Sequence, residues 1–169
     1  MSQPQQRYCL DANVLINAWN QYYHKDFCPD YWKELEGFGH SGRIFLGEYV
    51  RDEITRTDDG LAAWVKMSGI PVYPVDGAIT EIVQMIFAKD PRHPLLVDAS
   101  KQRSMADPWV IAHAIDQRAS VVTKEYKETQ SAAKVKIPNV CENMGVPWID
   151  DFGMIRELGL QFSCSIRKE

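Results

Sequence analysis

Four carboxylates stand where a chain alternating strands and helices can bring them to one edge of a sheet. Asp11 follows directly on the apolar run Tyr8-Cys9-Leu10 and precedes Ala12-Asn13 and a helical pattern. A carboxylate at the carboxyl end of a strand faces the crevice in which open α/β sheets bind ligands. Asn13 is itself able to cap the helix that follows, which leaves Asp11 without a local structural task. Glu53 lies in the helical segment after Ile44-Phe45-Leu46. On a wheel of about 100° per residue it falls between Tyr49, Val50, Ile54 and Thr57, while Glu48 and Asp52 point to solvent. A carboxylate on an inward face is costly unless paired or bound to a cation. Asp107 heads Asp107-Pro108-Trp109, which also reads as an N-cap with proline at the first helical position. Glu125 comes two residues after Thr123, in an alternating Lys-Glu turn at the end of another strand. Clustered hard oxygens suit magnesium or manganese, and such ions suit phosphoryl chemistry.

The elements that must position these acids are legible as alternation. Tyr8–Leu10, Ile44–Leu46, Ile70–Val75, Ser120–Thr123 and Lys134–Ile137 read as short strands. Between them, Val14, Leu15, Ala18, Trp19 and Tyr22 recur at helical spacing, as do Ile79, Ile82, Val83, Ile86 and Phe87. Trp109 to Ile115 is almost wholly apolar and reads as a buried helix. Strand–helix alternation predicts an α/β fold whose mostly parallel sheet is covered on both faces. With no linker, repeat or low-complexity tract, residues 1–169 are expected to form one domain.

Composition removes several function classes. Apolar residues make up 45% and charged residues 25%, as in globular proteins and unlike disordered chains. The apolar runs are too short to span a bilayer, and Met1 to Gln6 lacks a signal-peptide core, so a cytoplasmic location is expected. Cys9, Cys28, Cys141 and Cys164 form no metal-binding spacing with one another or with the histidines, and read as free thiols. His24, His40, His93 and His113 are expected to be hydrogen-bonded or partly exposed, and most of the five tryptophans to pack in the core or between helices. Asp150-Asp151 reads as a cap for the last helix. A net charge of −4 argues against gripping a polyanion through bulk positive charge.

Taken as a set, the acidic segments resemble the motifs of the PIN-domain nucleases, including relatives of VapC-type toxins. Leu10-Asp11-Ala12-Asn13-Val14-Leu15-Ile16 is similar to the opening motif, and Glu53-Ile54 to the acidic pair on the helix after the second strand. Ala106 to Ala112 is similar to the third motif, and Val121-Val122-Thr123-Lys124-Glu125 to the last. Glu125 and Glu128 stand where the family usually carries Asp or Asn. The resemblance implies a three-layer α/β/α fold with about five short, mostly parallel strands. It also implies an endoribonuclease that uses Mg2+ or Mn2+ and leaves a 5′-phosphate and a 3′-hydroxyl. By the same resemblance, Asp11, Glu53, Asp107 and Glu125 would hold the metal, with Glu128 as an additional acid and Asn13, Thr123 and Arg103 near the substrate. RNA, a small antitoxin and a second copy of the chain are the implied partners.

The basic residues at Lys89, Arg92, Lys101 and Arg103, and at Lys124, Lys127, Lys134 and Lys136, flank these acids. They could form a basic rim or simply solvated loops. A haloacid-dehalogenase phosphatase needs a second Asp where this chain has Asn13, and a receiver-type phosphoacceptor needs an acidic pair near the first strand. The remaining rival is a catalytically weakened PIN-like module that binds RNA or protein.

Overall fold

The computed structural model describes residues 5–97 and 105–166. Its centre is a parallel sheet of five short strands among the described residues. These are β1 (Tyr8–Leu10), β2 (Ile44–Gly47), β3 (Val72–Tyr73), β4 (Ser120–Val122) and β5 (Trp148–Ile149), in the order β3-β2-β1-β4-β5. The register pairs Tyr8 with both Ile44 and Ser120, and Cys9 with both Phe45 and Val121. Side chains of β1, β2 and β4 are almost all fully buried, as expected for strands covered on both faces.

Alternation along β1 shows the two covering layers. Cys9 points to one face, where its thiol donates to the carbonyl of Val110 in α6 (Asp107–Asp116). Tyr8 points to the other, where its hydroxyl donates to Glu157 in α8 (Asp151–Leu158) at 2.6 Å. On the first face α6 lies across β1, β2 and β4 and packs against α5 (Gly77–Lys89) and α7 (Ile137–Met144). Val110, Ile111, Ala112, His113 and Ala114 are all buried there, so the apolar run is a buried helix. The three-layer α/β/α expectation holds.

The remaining helices are α1 (Ala12–Asn17), α2 (Pro29–His40), α3 (Glu48–Thr55) and α4 (Gly60–Met67). A π-helical turn, Ala18–Tyr22, extends α1 and is closed by the amide of Tyr23 on the carbonyl of Ala18 at 2.7 Å. The wider turn breaks the expected 3.6-residue face. Ala18 stays buried, whereas Tyr22 is exposed. Trp19, Trp32 and Trp64 meet edge to face, with centroids 4.8 and 4.6 Å apart, in packing rather than as an open stacking array.

One strand expectation fails. Lys134–Ile137 is not a strand, and the fifth strand is Trp148–Ile149. Pro138 enters the first turn of α7, where its missing N–H is no loss, and Gly145 ends that helix at a φ of 68°. The apolar Val135 and Ile137 therefore lead into a helix. Asp150 caps α8 as expected, accepting from the amide of Gly153 at 2.7 Å.

Candidate functional site

The sheet order makes β1 and β4 the neighbours between which the chain changes direction of growth, and a crevice opens at the carboxyl ends of such a pair. Asp11 and Thr123, the first residues after β1 and β4, meet there. The Thr123 hydroxyl donates to Oδ2 of Asp11 at 2.8 Å and accepts from the amide of Glu125 at 3.1 Å and from Nδ2 of Asn13 at 3.3 Å. Asn13 Oδ1 accepts from the amide of Lys124 at 2.9 Å. One threonine and one asparagine thus fasten the turn after β1 to the turn after β4.

Asp11 supplies the backbone cap of α1, but its carboxylate makes no side-chain cap bond. It is 4% exposed. Burial pushes its carboxyl up to about 7. The Thr123 hydrogen bond opposes this, and the charges of Glu125 and Glu53 push it further. That hydrogen bond and the backbone amide of Ala12 offset only part of the cost.

Glu53 is not on the inward face. Only Val50 and Ile54 of α3 are buried; Glu53 and Thr57 are exposed, and Tyr49 is exposed with its ring edge-on to Trp109. The helix spans two turns, and two apolar anchors suffice to seat it, so Glu53 rotates to the rim. Its carboxyl is still raised by partial burial, against the pull of Arg56. Glu48 does not point to solvent either, because its carboxylate accepts from the amide of Val75 at 2.9 Å.

Asp107 is buried but is not the N-cap of α6. Ala106 holds that position and Asp107 opens the first turn, so capping does not account for it. Glu125 is half-buried with both oxygens engaged. Oε1 accepts from Lys136 Nζ at 2.7 Å, and Oε2 accepts from the amide of Ile137 at 2.9 Å, at the start of α7. Glu128 is exposed outside this group, its backbone tied to the side chain of Asn139. Thr123 is fully buried with its hydroxyl committed to Asp11, Asn13 and the amide of Glu125. Both ends of the Asn13 amide are likewise engaged within the frame. Arg103 and Lys101 lie outside the described residues.

Among the described residues, most of the basic side chains flanking the acids make internal contacts. Lys124 donates to Asp151 at 2.8 Å, with the rings of Tyr22 and Phe152 against its ammonium. Lys127 pairs with Glu142, and Lys136 with Glu125. Arg92 spends its guanidinium on the carbonyls of Gln130 and Ala132, both at 2.7 Å. The sequence signals missed Asp151, which is fully buried with one oxygen lacking a partner, because it adjoins a genuine cap. They also missed Lys136, whose role depends on where α7 begins.

As they stand, no three Asp, Glu, His or Cys side chains among the described residues close around a point where a cation could sit. The donor chemistry nevertheless fits a hard divalent ion. Asp11 is buried, and the charges of Glu125 and Glu53 bear on it.

The family profile described as Domain of unknown function (DUF4411) matches residues 8–162. No curated protein matches the chain. Among solved structures, a chain of VapBC2 from Rickettsia felis, crystallised bound to a DNA fragment from their promoter, aligns with a TM-score of 0.55 and 16% identity. The alignment covers 86% of this chain and 98% of that one. A match at this identity concerns the fold, which is the PIN-like arrangement that the four motifs imply. The chain belongs to the family described as Domain of unknown function (DUF4411), and its PIN-like fold is similar to that of the VapBC2 chain.

Proposed function

We propose that the chain is a metal-dependent endoribonuclease that hydrolyses RNA phosphodiester bonds and acts as the toxin of a toxin–antitoxin pair. The observation that carries this reading is Asp11, buried at the switch point of the sheet and pushed up by burial and by the charges of Glu125 and Glu53. A buried carboxylate held in place against its own electrostatic cost is what a cation site uses. Asp11, Glu53, Asp107 and Glu125 would hold Mg2+ or Mn2+. Such an ion, when bound, acidifies a water and offsets charge on a phosphodiester.

The chain's own residues do the rest. Thr123 holds the Asp11 carboxylate in one orientation, Asn13 locks the two site loops together, and α6 brings Asp107 from the first helical layer. The fold shared with a VapBC2 chain supports an antitoxin as partner and a second copy of this chain as a further one. Among the described residues no helix is long and apolar enough to cross a membrane.

One observation favours a second reading, a catalytically weakened module that binds RNA or protein. Both oxygens of Glu125 are occupied by Lys136 and by the start of α7. Calorimetric titration of Mn2+ separates the two readings. Saturable binding that weakens in Asp11→Asn supports the nuclease. No binding at millimolar metal, in wild type and in Lys136→Met alike, supports the weakened module.

A further inference from the structure

The acidic site already contains a cation of its own. Lys136 is the N-cap residue of α7, and its backbone amide is held by Oδ1 of Asn139 at 3.3 Å, which fixes where its side chain starts. Asn139 is fastened in turn to the backbone of Glu128 by two hydrogen bonds. From this anchored stem the ammonium reaches Glu125 at 2.7 Å. Asp107 and Glu128 add to the negative field around it. Lys124 and Lys127, from the same stretch of chain, turn instead to Asp151 and Glu142.

We propose that Lys136 is a tethered cation of the acidic site, holding through Glu125 a place that a divalent ion otherwise takes. This deepens the nuclease reading and rests on it. An ammonium neutralises carboxylate charge as a metal does, but it takes no ligands and acidifies no water. A divalent ion and Lys136 therefore compete for Glu125, and the lysine lowers the affinity or number of ions the site accepts.

The test is Mn2+ calorimetry on the full chain, comparing wild type with Lys136→Met, Lys136→Arg and Asp11→Asn. Lys136→Gln serves as a second neutral variant, and thermal unfolding is checked for each. Removing the charge while keeping the stem is expected to tighten Mn2+ about tenfold, comparable to one modest charge–charge interaction, or to add a second bound ion. Lys136→Arg should stay like wild type, and adding Glu125→Gln to Lys136→Met should erase the gain. Binding first detected in the neutral variants supports the proposal in its strongest form. If wild type binds through Asp11 and both neutral variants match it in affinity and stoichiometry, the tethered-cation proposal fails alone. Silence from wild type and both neutral variants overturns it together with the metal reading.

Discussion

Two polar regions of this molecule differ in how completely their charges are answered. Beside α7, the residues Asp90, Arg92, His93, Lys127, Asn139, Glu142 and Asn143 help line a pocket of about 620 Å3. Almost everything there is paired. His93 is buried, with Nδ1 against the carbonyl of Ile86 at 2.6 Å and Nε2 against Asn143 at 3.0 Å. At the carboxyl ends of β1 and β4 the opposite holds, because the charges of Glu125 and Glu53 bear on a buried Asp11. The pocket beside α7 is therefore the less informative region. A region whose polar groups satisfy one another already serves stability, whereas a buried carboxylate pushed up by its surroundings persists at the expense of stability and points to a ligand.

The sharpest way to break this comparison is Asp11→Asn. Mn2+ affinity and any RNA cleavage should fall by at least about a hundredfold, while stability rises. The Asp11 carboxyl lies at about 7 when folded against 3.8 unfolded. The unfolded chain therefore ionises first, and folding loses stability as pH climbs from 3.8 through 7, by up to ~4 kcal/mol. Melting curves should show the mutant's gain at about pH 8 and its disappearance near pH 4. A mutant less stable than wild type at both pH values would place Asp11 among the structural residues.

Asn143→Ala makes the converse test in the paired region. It strips His93 Nε2 and Asp90 of a donor, and should cost roughly 1–3 kcal/mol in chemical denaturation with Mn2+ binding unchanged. Altered metal binding would make the pocket part of the site after all. Glu125→Gln should be milder for the fold, below about 1 kcal/mol. It removes a partly exposed ion pair but keeps an oxygen for the amide of Ile137.

The smallest effect concerns His113, which breaks the expectation of a hydrogen-bonded or partly exposed histidine. It is fully buried with neither ring nitrogen partnered, packed so tightly on Gly47 that a Cβ there would lie 2.5 Å from its ring. Burial pushes its pKa below 6.5, although Asp116 on its own helix, Asp76 before α5 and Glu48 on α3 pull it back. The unfolded chain then binds the proton more readily, so stability is present above 6.5 and is lost as pH falls below it. His113→Leu should flatten that acid limb in pH-dependent melts. An unchanged limb would show that other groups set it.

Legibility from sequence follows how local the determining physics is. Strands β1, β2 and β4 and helices α5 and α6 are readable because their apolar periodicities are strong and their neighbours turn-like. The fifth strand is misplaced because Val135 and Ile137 resemble a strand, while the proline that starts a helix comes only at Pro138. Asp11 stands out because it directly follows a strand. The orientation of Glu53 does not, because a two-turn helix leaves its rotation to the packing of Val50 and Ile54.

The sequence by itself determined the α/β alternation, the buried α6 and the identity of the acidic residues, since each depends on periodicity or on immediate neighbours. Only the tertiary structure decided which charges are answered. Lys136 reaches Glu125, Lys124 reaches Asp151 and Thr123 reaches Asp11 across separations of 11, 27 and 112 residues. Such pairings are set by parallel strands meeting at one edge, and no local pattern encodes which side chains will face one another there.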